Sequence, residues 1–185
     1  MKSINTDVRF TPVIAKLLVG FALLCFTQVS LAQFGDEKVW PKIEELGWLD
    51  NQHLNNQRAS VNELAKLKLG DAIRGNKSDL DVLQRIIDAR LIASDERVKL
   101  QALGVIIGDQ FQREFNLVWR IYEDQAGRSR AVCFKDTEHC LFPITMLSRR
   151  MEVGLQPNVK KIYDETAEAL QPLLPKLPYE VSAKK

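Results

Sequence analysis

At Asn116 the hydrophobic pattern changes period, and that switch constrains the fold more than any other feature. Before it, apolar residues recur at helical spacing: Leu103, Ile107, Phe111 and Phe115 fall on one stripe. After it they alternate. In "NLVWRIYE" (116–123), Leu117, Trp119 and Ile121 take one face and Val118, Arg120 and Tyr122 the other. "DQAG" (124–127) has turn chemistry, and "RSRAVCF" (128–134) alternates again, so the two runs predict a β-hairpin. "KDTEH" turns the chain back into "CLFP" for a third strand. Pairing about a centre between Asp136 and Thr137 sets Cys133 opposite Cys140, where a cross-strand disulfide fits.

The first residues decide whether that disulfide has a suitable compartment. Lys2, Arg9 and Lys16 precede the apolar "LLVGFALLCF" (17–26), and small and polar residues follow, with Ser30 and Ala32 before Gln33. That order is a secretory signal peptide cut after Ala32, so the mature chain is expected in the periplasm or secreted. The apolar run is shorter than the roughly 20 residues of a membrane span, so no span is expected after cleavage. Export removes Cys25 and leaves Cys133 and Cys140 where disulfides persist. Free thiols and a metal site are the weaker alternatives: zinc takes four ligands, and Cys133, His139 and Cys140 supply at most three locally. The signal also takes Lys2, Arg9, Lys16 and Asp7 from 26 basic and 24 acidic residues, which leaves a net charge near zero. Bulk charge therefore gives no reason to expect nucleic acid as a partner.

The rest of the chain divides as follows. Residues 33–56 read as a polar lead-in, with "WPKIEELGWL" (40–49) a short helix from Pro41 to Gly47. One domain is expected over 57–179, and 180–185 as a mobile tail. Its helices are predicted to open at Ser60, with Glu63 completing a capping box, at Ser78 and at Ser94. The second carries Leu80, Leu83, Ile87 and Leu91 on one stripe. Gly104 and Gly108, one turn apart in the third, predict a close approach of a neighbouring element. Helices over 144–154 and 158–174 follow, the second capped by Asn158. The fold class is α+β: N-terminal helices, a small antiparallel three-stranded meander, then two C-terminal helices packed on the sheet.

Three phrases resemble a family. They are Ala102-Leu103-Gly104…Gly108, Trp119…Glu123-Asp124…Gly127-Arg128, and Phe142-Pro143…Arg149-Arg150…Gly154. Over roughly residues 56–179 the chain resembles a bacterial domain-of-unknown-function family, number 3806. The resemblance implies no established activity. The cysteine pair is not part of the family pattern and looks like a local addition suited to export.

No catalytic motif is present: there is no G-x-S-x-G, H-E-x-x-H or phosphate loop, and His53 and His139 are the two histidines. His53 reads as a solvated loop residue and His139 as a turn residue. Asp109 and Glu114 face different ways on one helix, and Glu123 and Asp124 enter a turn. The one concentration is arginine: Arg113, Arg120, Arg128, Arg130, Arg149 and Arg150. Guanidinium forks suit carboxylate or phosphate. A surface lattice with Glu114, Glu123, Asp124 and Glu152 is the competing reading. The expected site is thus an arginine and aromatic hairpin face of Arg120, Arg128, Arg130, Arg149 and Arg150 with Trp119 and Tyr122 as anchors. It would bind a protein partner or an anionic ligand, with no catalytic residue, metal or cofactor implied. A carboxylate-dependent hydrolase and a thiol–disulfide activity at Cys133/Cys140 are the alternatives.

Overall fold

The computed structural model describes residues 40–135 and 137–174. The segment expected to be a signal peptide, its expected cleavage after Ala32 and the expected 180–185 tail lie outside the described residues. Within them the order is β1 (Lys42–Glu45), α1 (Trp48–Leu69), α2 (Asp79–Asp88), α3 (Arg97–Phe115), β2 (Val118–Asp124), β3 (Gly127–Cys133), β4 (Cys140–Leu141), α4 (Ile144–Glu152) and α5 (Val159–Leu170), then a 3-10 turn, Gln171–Leu173. The strands form one antiparallel sheet in the order β1-β2-β3-β4. The class is α+β, but the sheet has four strands rather than three.

The extra strand comes from the segment expected to be a helix. Lys42–Glu45 pairs with β2, Lys42 opposite Glu123 and Glu45 opposite Arg120. "KIEE" has no alternation worth the name, so its strand state comes from the open edge of β2, which supplies hydrogen-bond partners. Gly47, expected to stop a helix, instead stands at the N-cap of α1 in extended conformation. From there α1 runs unbroken through Ser60, which is an exposed mid-helix residue and not a cap. A buried stripe of Asp50, Leu54, Gln57, Val61 and Ala65 explains the length: each turn presents one residue to the core. Residue 57, the expected start of the domain, falls inside this helix, so residues 48–56 run into 57–69 without a break. Gly70, in the left-handed conformation, closes α1 by donating its N–H to the Ala65 carbonyl.

Helix α3 is the centre of the molecule. Every residue from Ala102 to Phe111 is buried, so this helix is enclosed on all sides. It opens at Arg97, three residues after the expected Ser94. Its glycine stripe does what the sequence suggests. A Cβ on Gly104 would overlap the Pro143 carbonyl oxygen and lie 2.6 Å from the Ile144 Cα. A Cβ on Gly108 would overlap the Trp119 ring and lie 2.8 Å from the Pro143 Cγ. The bare helix face thus seats both the first turn of α4 and the indole of β2.

That seating corrects the expected arrangement of the C-terminal helices. α4 packs along α3, and α5 packs against α2 while its Tyr163 stacks on Phe111 of α3 with ring centroids 4.5 Å apart. The sheet is met by α3 and by the first turn of α1, and the end of α5 reaches it too, where Leu170 shares a cavity wall with Val132 and Leu141. Asn158 caps α5 as expected, its side chain accepting the Lys161 N–H at 2.8 Å.

In the hairpin, Trp119 and Ile121 are buried on one face, as the alternation predicts. Asp124 Oδ1 accepts the N–H groups of Ala126 and Gly127 across the turn. Cys133 pairs with Cys140 in the expected register, and a disulfide joins them with Cα atoms 4.0 Å apart. The loop it closes is short, so the entropic stabilisation is on the order of 2 kcal/mol.

Candidate functional site

Period two divides the expected hairpin site between two faces. In register, Glu123 faces Arg128, Ile121 faces Arg130 and Trp119 faces Val132, so all six share the face that meets the helices. Arg120 and Tyr122 point the other way. Arg149 and Arg150 are exposed on α4, where Arg150 donates to the Met146 carbonyl. The seven expected residues therefore do not form one surface.

On the helix side, Arg128 and Arg130 converge on a single carboxylate. Arg128 donates to both oxygens of Asp50, at 2.7 and 3.2 Å, and Arg130 Nε donates to Oδ1 at 3.0 Å. Asp50 is only 6% exposed. Of the partners expected for a surface lattice, Glu114, Glu123, Asp124 and Glu152, Glu123 stands opposite Arg128 and acts on it by charge, but the carboxylate that accepts its hydrogen bonds is Asp50, in the segment read as a lead-in. Two charged forks on one buried carboxylate tie the first turn of α1 to β3. Arg97 pairs with Glu152 at 3.3 Å.

The hydrogen bond from Arg128 holds the Asp50 carboxyl below its ordinary range, against an opposing effect of burial, with Arg130 adding to the shift. A folded pKa below the unfolded value of about 3.9 means its stabilisation is whole above that value and lost as pH falls through the folded pKa. Asp50→Asn is therefore expected to flatten the acid limb of stability. Urea unfolding at pH 6 and pH 3 checks this: the parent should lose more stability between the two than the variant, and equal losses would overturn the linkage.

The opposite face of the sheet is chemically different. Ile43 stands opposite Tyr122, and Arg120 lies between Glu45 and Ala131. Phe142 meets the Tyr122 ring edge-on, centroids 5.1 Å apart, and is itself partly exposed. Among the described residues Arg120 is paired loosely with Glu45, 3.9 Å away and largely exposed. This face thus carries Arg120 at one register position and the Tyr122–Phe142 pair at the next.

The other candidates take structural places. His53 lies on α1, not in a loop, and burial followed by the charge of Arg130 lowers its pKa. His139 is exposed, and its backbone bonds within the β3–β4 turn. Asp109 is buried: Arg58 grips both its oxygens at 2.7 Å, and Trp119 Nε1 donates to Oδ1 at 2.9 Å. Glu114 accepts from Lys77 and from the buried Tyr163 hydroxyl, whose pKa is raised by burial and by Glu114. Among the described residues no group of three or more His, Cys, Asp or Glu is placed to hold a metal.

Sequence reasoning missed Arg58 and Asp79. Asp79, wholly buried, accepts the backbone N–H groups of Arg74, Gly75 and Asn76 and the side-chain amide of Gln110. Beside it a cleft of about 250 Å³ opens between α1, the α1–α2 loop and α3, with Arg58, Arg74 and Arg113 on its walls. The "GDAIRGNKSD" run (70–79), rich in turn residues before a helix-opening Asp, is a signal that could have pointed to Asp79; none marks Arg58.

Fold and site together define a small α+β domain in which a central helix backs a four-stranded antiparallel sheet and buried aspartates clamp arginines from distant segments. Residues 79–163 match the model of a family described as Domain of unknown function (DUF3806), the family whose phrases the sequence carries. The match spans α2 through the first turn of α5 and leaves out β1 and α1, the helix that carries Asp50 and Arg58. No curated protein matches the chain. A crystal structure of a protein from Bacteroides thetaiotaomicron VPI-5482 is similar in fold, with a TM-score of 0.64 and 16% identity. The likeness covers 72% of this chain and 49% of that one, so this chain spans about half its length. No helix among the described residues is long and apolar enough to cross a membrane.

Proposed function

We propose that this protein is an exported, non-enzymatic recognition module of the cell envelope that engages an acidic segment of a protein partner through the sheet face bearing Arg120, Tyr122 and Phe142. The observation that carries this reading is the division of the arginines. Arg128 and Arg130 are spent on Asp50, whereas Arg120, on the other side of the sheet, has among the described residues only the loose pairing with Glu45 at 3.9 Å. Arginine and tyrosine beside an exposed ring are the residue types that anchor interfaces, and the guanidinium supplies the preference for an acidic group. Export rests on the order of basic, apolar and small residues at the start of the chain. The buried carboxylates support a non-enzymatic role, since Asp50, Asp79 and Asp109 are bound to arginine, indole, amide or backbone donors.

Capture from an envelope extract tests it, with the parent beside Arg120→Ala, Tyr122→Ala and, as a control on α5, Lys160→Ala. A partner held by the parent and Lys160→Ala but weakened about tenfold or more by each of the other two supports the face. Equal capture by all four rules it out.

A further inference from the structure

A second, separate site is written in the cleft between α1, the α1–α2 loop and α3. Its walls bring together three guanidinium groups from three parts of the chain: Arg58 on α1, Arg74 in the loop and Arg113 on α3. Arg58 is neutralised by Asp109 and gives a third N–H to Asn55, which leaves two of its five donors unused. Arg74 is half-exposed and pairs at 2.8 Å with Asp71, a carboxylate shared with Arg85. Arg113 makes no hydrogen bond or ion pair with any described residue.

Yet Arg113 is held in place. An ideal Cβ on Gly75 would lie 2.8, 2.9 and 2.9 Å from its Nη1, Cζ and Nη2. Three near-equal distances mean that the guanidinium lies flat on the glycine, its N–H edges turned outward. Gly75 has φ +76°, so its backbone conformation and its bare face both call for glycine. The loop is fixed in turn by Asp79, which accepts its three successive N–H groups. Arg113 is exposed, and its contact with this fixed loop narrows the space its guanidinium samples before a ligand arrives, which lowers the cost of binding.

The acidic groups beside the cleft take donors from Arg58 and Arg74 but none from Arg113. Asp79 is saturated by backbone and amide N–H groups, and Asp109 by Arg58 and Trp119. What remains open is a set of N–H donors with no acceptor. The geometry points to a binding site for a phosphate group, with Arg113 as its principal contact and Arg58 and Arg74 as flanking donors. Three guanidiniums match the three terminal oxygens of a phosphate better than the two of a carboxylate. The volume of about 250 Å³ suits a free phosphate ion or the head of a phosphate monoester, and falls below the roughly 300–1,000 Å³ of sites that enclose whole small molecules. The site does not depend on the sheet face proposed above.

The test is calorimetric titration of the full chain at low ionic strength with inorganic phosphate, glycerol phosphate and succinate. Saturable phosphate binding is expected, weakened about ten- to a hundredfold by Arg113→Gln and unchanged by Arg149→Gln on the exposed face of α4. Arg113→Lys, which keeps the charge and loses the fork, should fall between the parent and Arg113→Gln. Melting curves for both position-113 variants should overlay the parent. Equal binding of glycerol phosphate assigns the site to a monoester head, and its failure beside phosphate binding assigns it to the free ion. Succinate binding as tight as phosphate, binding indifferent to Arg113→Gln, or no saturation up to about 10 mM would each overturn the proposal.

Discussion

Replacing Asp79 by alanine is expected to cost about 3–5 kcal/mol, the largest loss from any single polar residue in this domain. The carboxylate is fully buried and serves four donors: the N–H groups of Arg74, Gly75 and Asn76 at 2.8, 2.7 and 3.1 Å, and Gln110 Nε2 at 3.2 Å. Hydrogen bonds to a charged group contribute about 1.5–3 kcal/mol each, and donors stranded without an acceptor add their own penalty. Asp79 also opens α2, so its charge faces the positive end of that helix. Ser78, the expected cap, makes no capping bond; its hydroxyl is turned to Asn76. Asp79→Asn keeps an acceptor oxygen and should lose about half as much. Urea unfolding at neutral pH measures both. If both variants stay within about 1 kcal/mol of the parent, water replaces the carboxylate and the loop is not organised by it.

Gly104→Leu is the second large effect, expected to destabilise by about 3 kcal/mol or more. Overpacking costs about 1–3 kcal/mol where side chains can shift. Here the obstacles are the Pro143 carbonyl and the Ile144 Cα, backbone atoms with no rotamer to yield. Leucine would gain up to about 1 kcal/mol of helix propensity over glycine, so the net loss understates the clash. Ala169→Leu, which adds bulk on the exposed side of α5, should stay within about 0.5 kcal/mol. A melting temperature for Gly104→Leu matching the parent would mean that α4 does not rest on this face.

Legibility in the sequence followed the range of the interactions. The hairpin, its turn and the pairing of Cys133 with Cys140 rest on neighbours within a few residues and on a strict period of two, so the pattern carried them. The glycine stripe was legible for the same reason: two glycines one turn apart declare a bare face whatever lies against it. The arginines were visible as a concentration but their division was not. Adjacent strand positions point to opposite faces, and only the register puts Arg128 and Arg130 against Asp50 and turns Arg120 away.

Local chemistry accordingly specified the class of fold, the central helix, the hairpin and its staple. Tertiary structure alone decided the rest. "KIEE" became a strand because the edge of β2 offers backbone partners to a segment with little preference of its own. Ser60 lost its cap because a buried stripe from Asp50 to Ala65 rewards one continuous helix more than a cap rewards a break. The clamps at Asp50, Asp79 and Asp109 and the seat of Arg113 on Gly75 join residues 3 to 80 positions apart, most of them dozens of positions apart. A buried charge needs a partner wherever the fold can bring one, and no local pattern records which partner that will be.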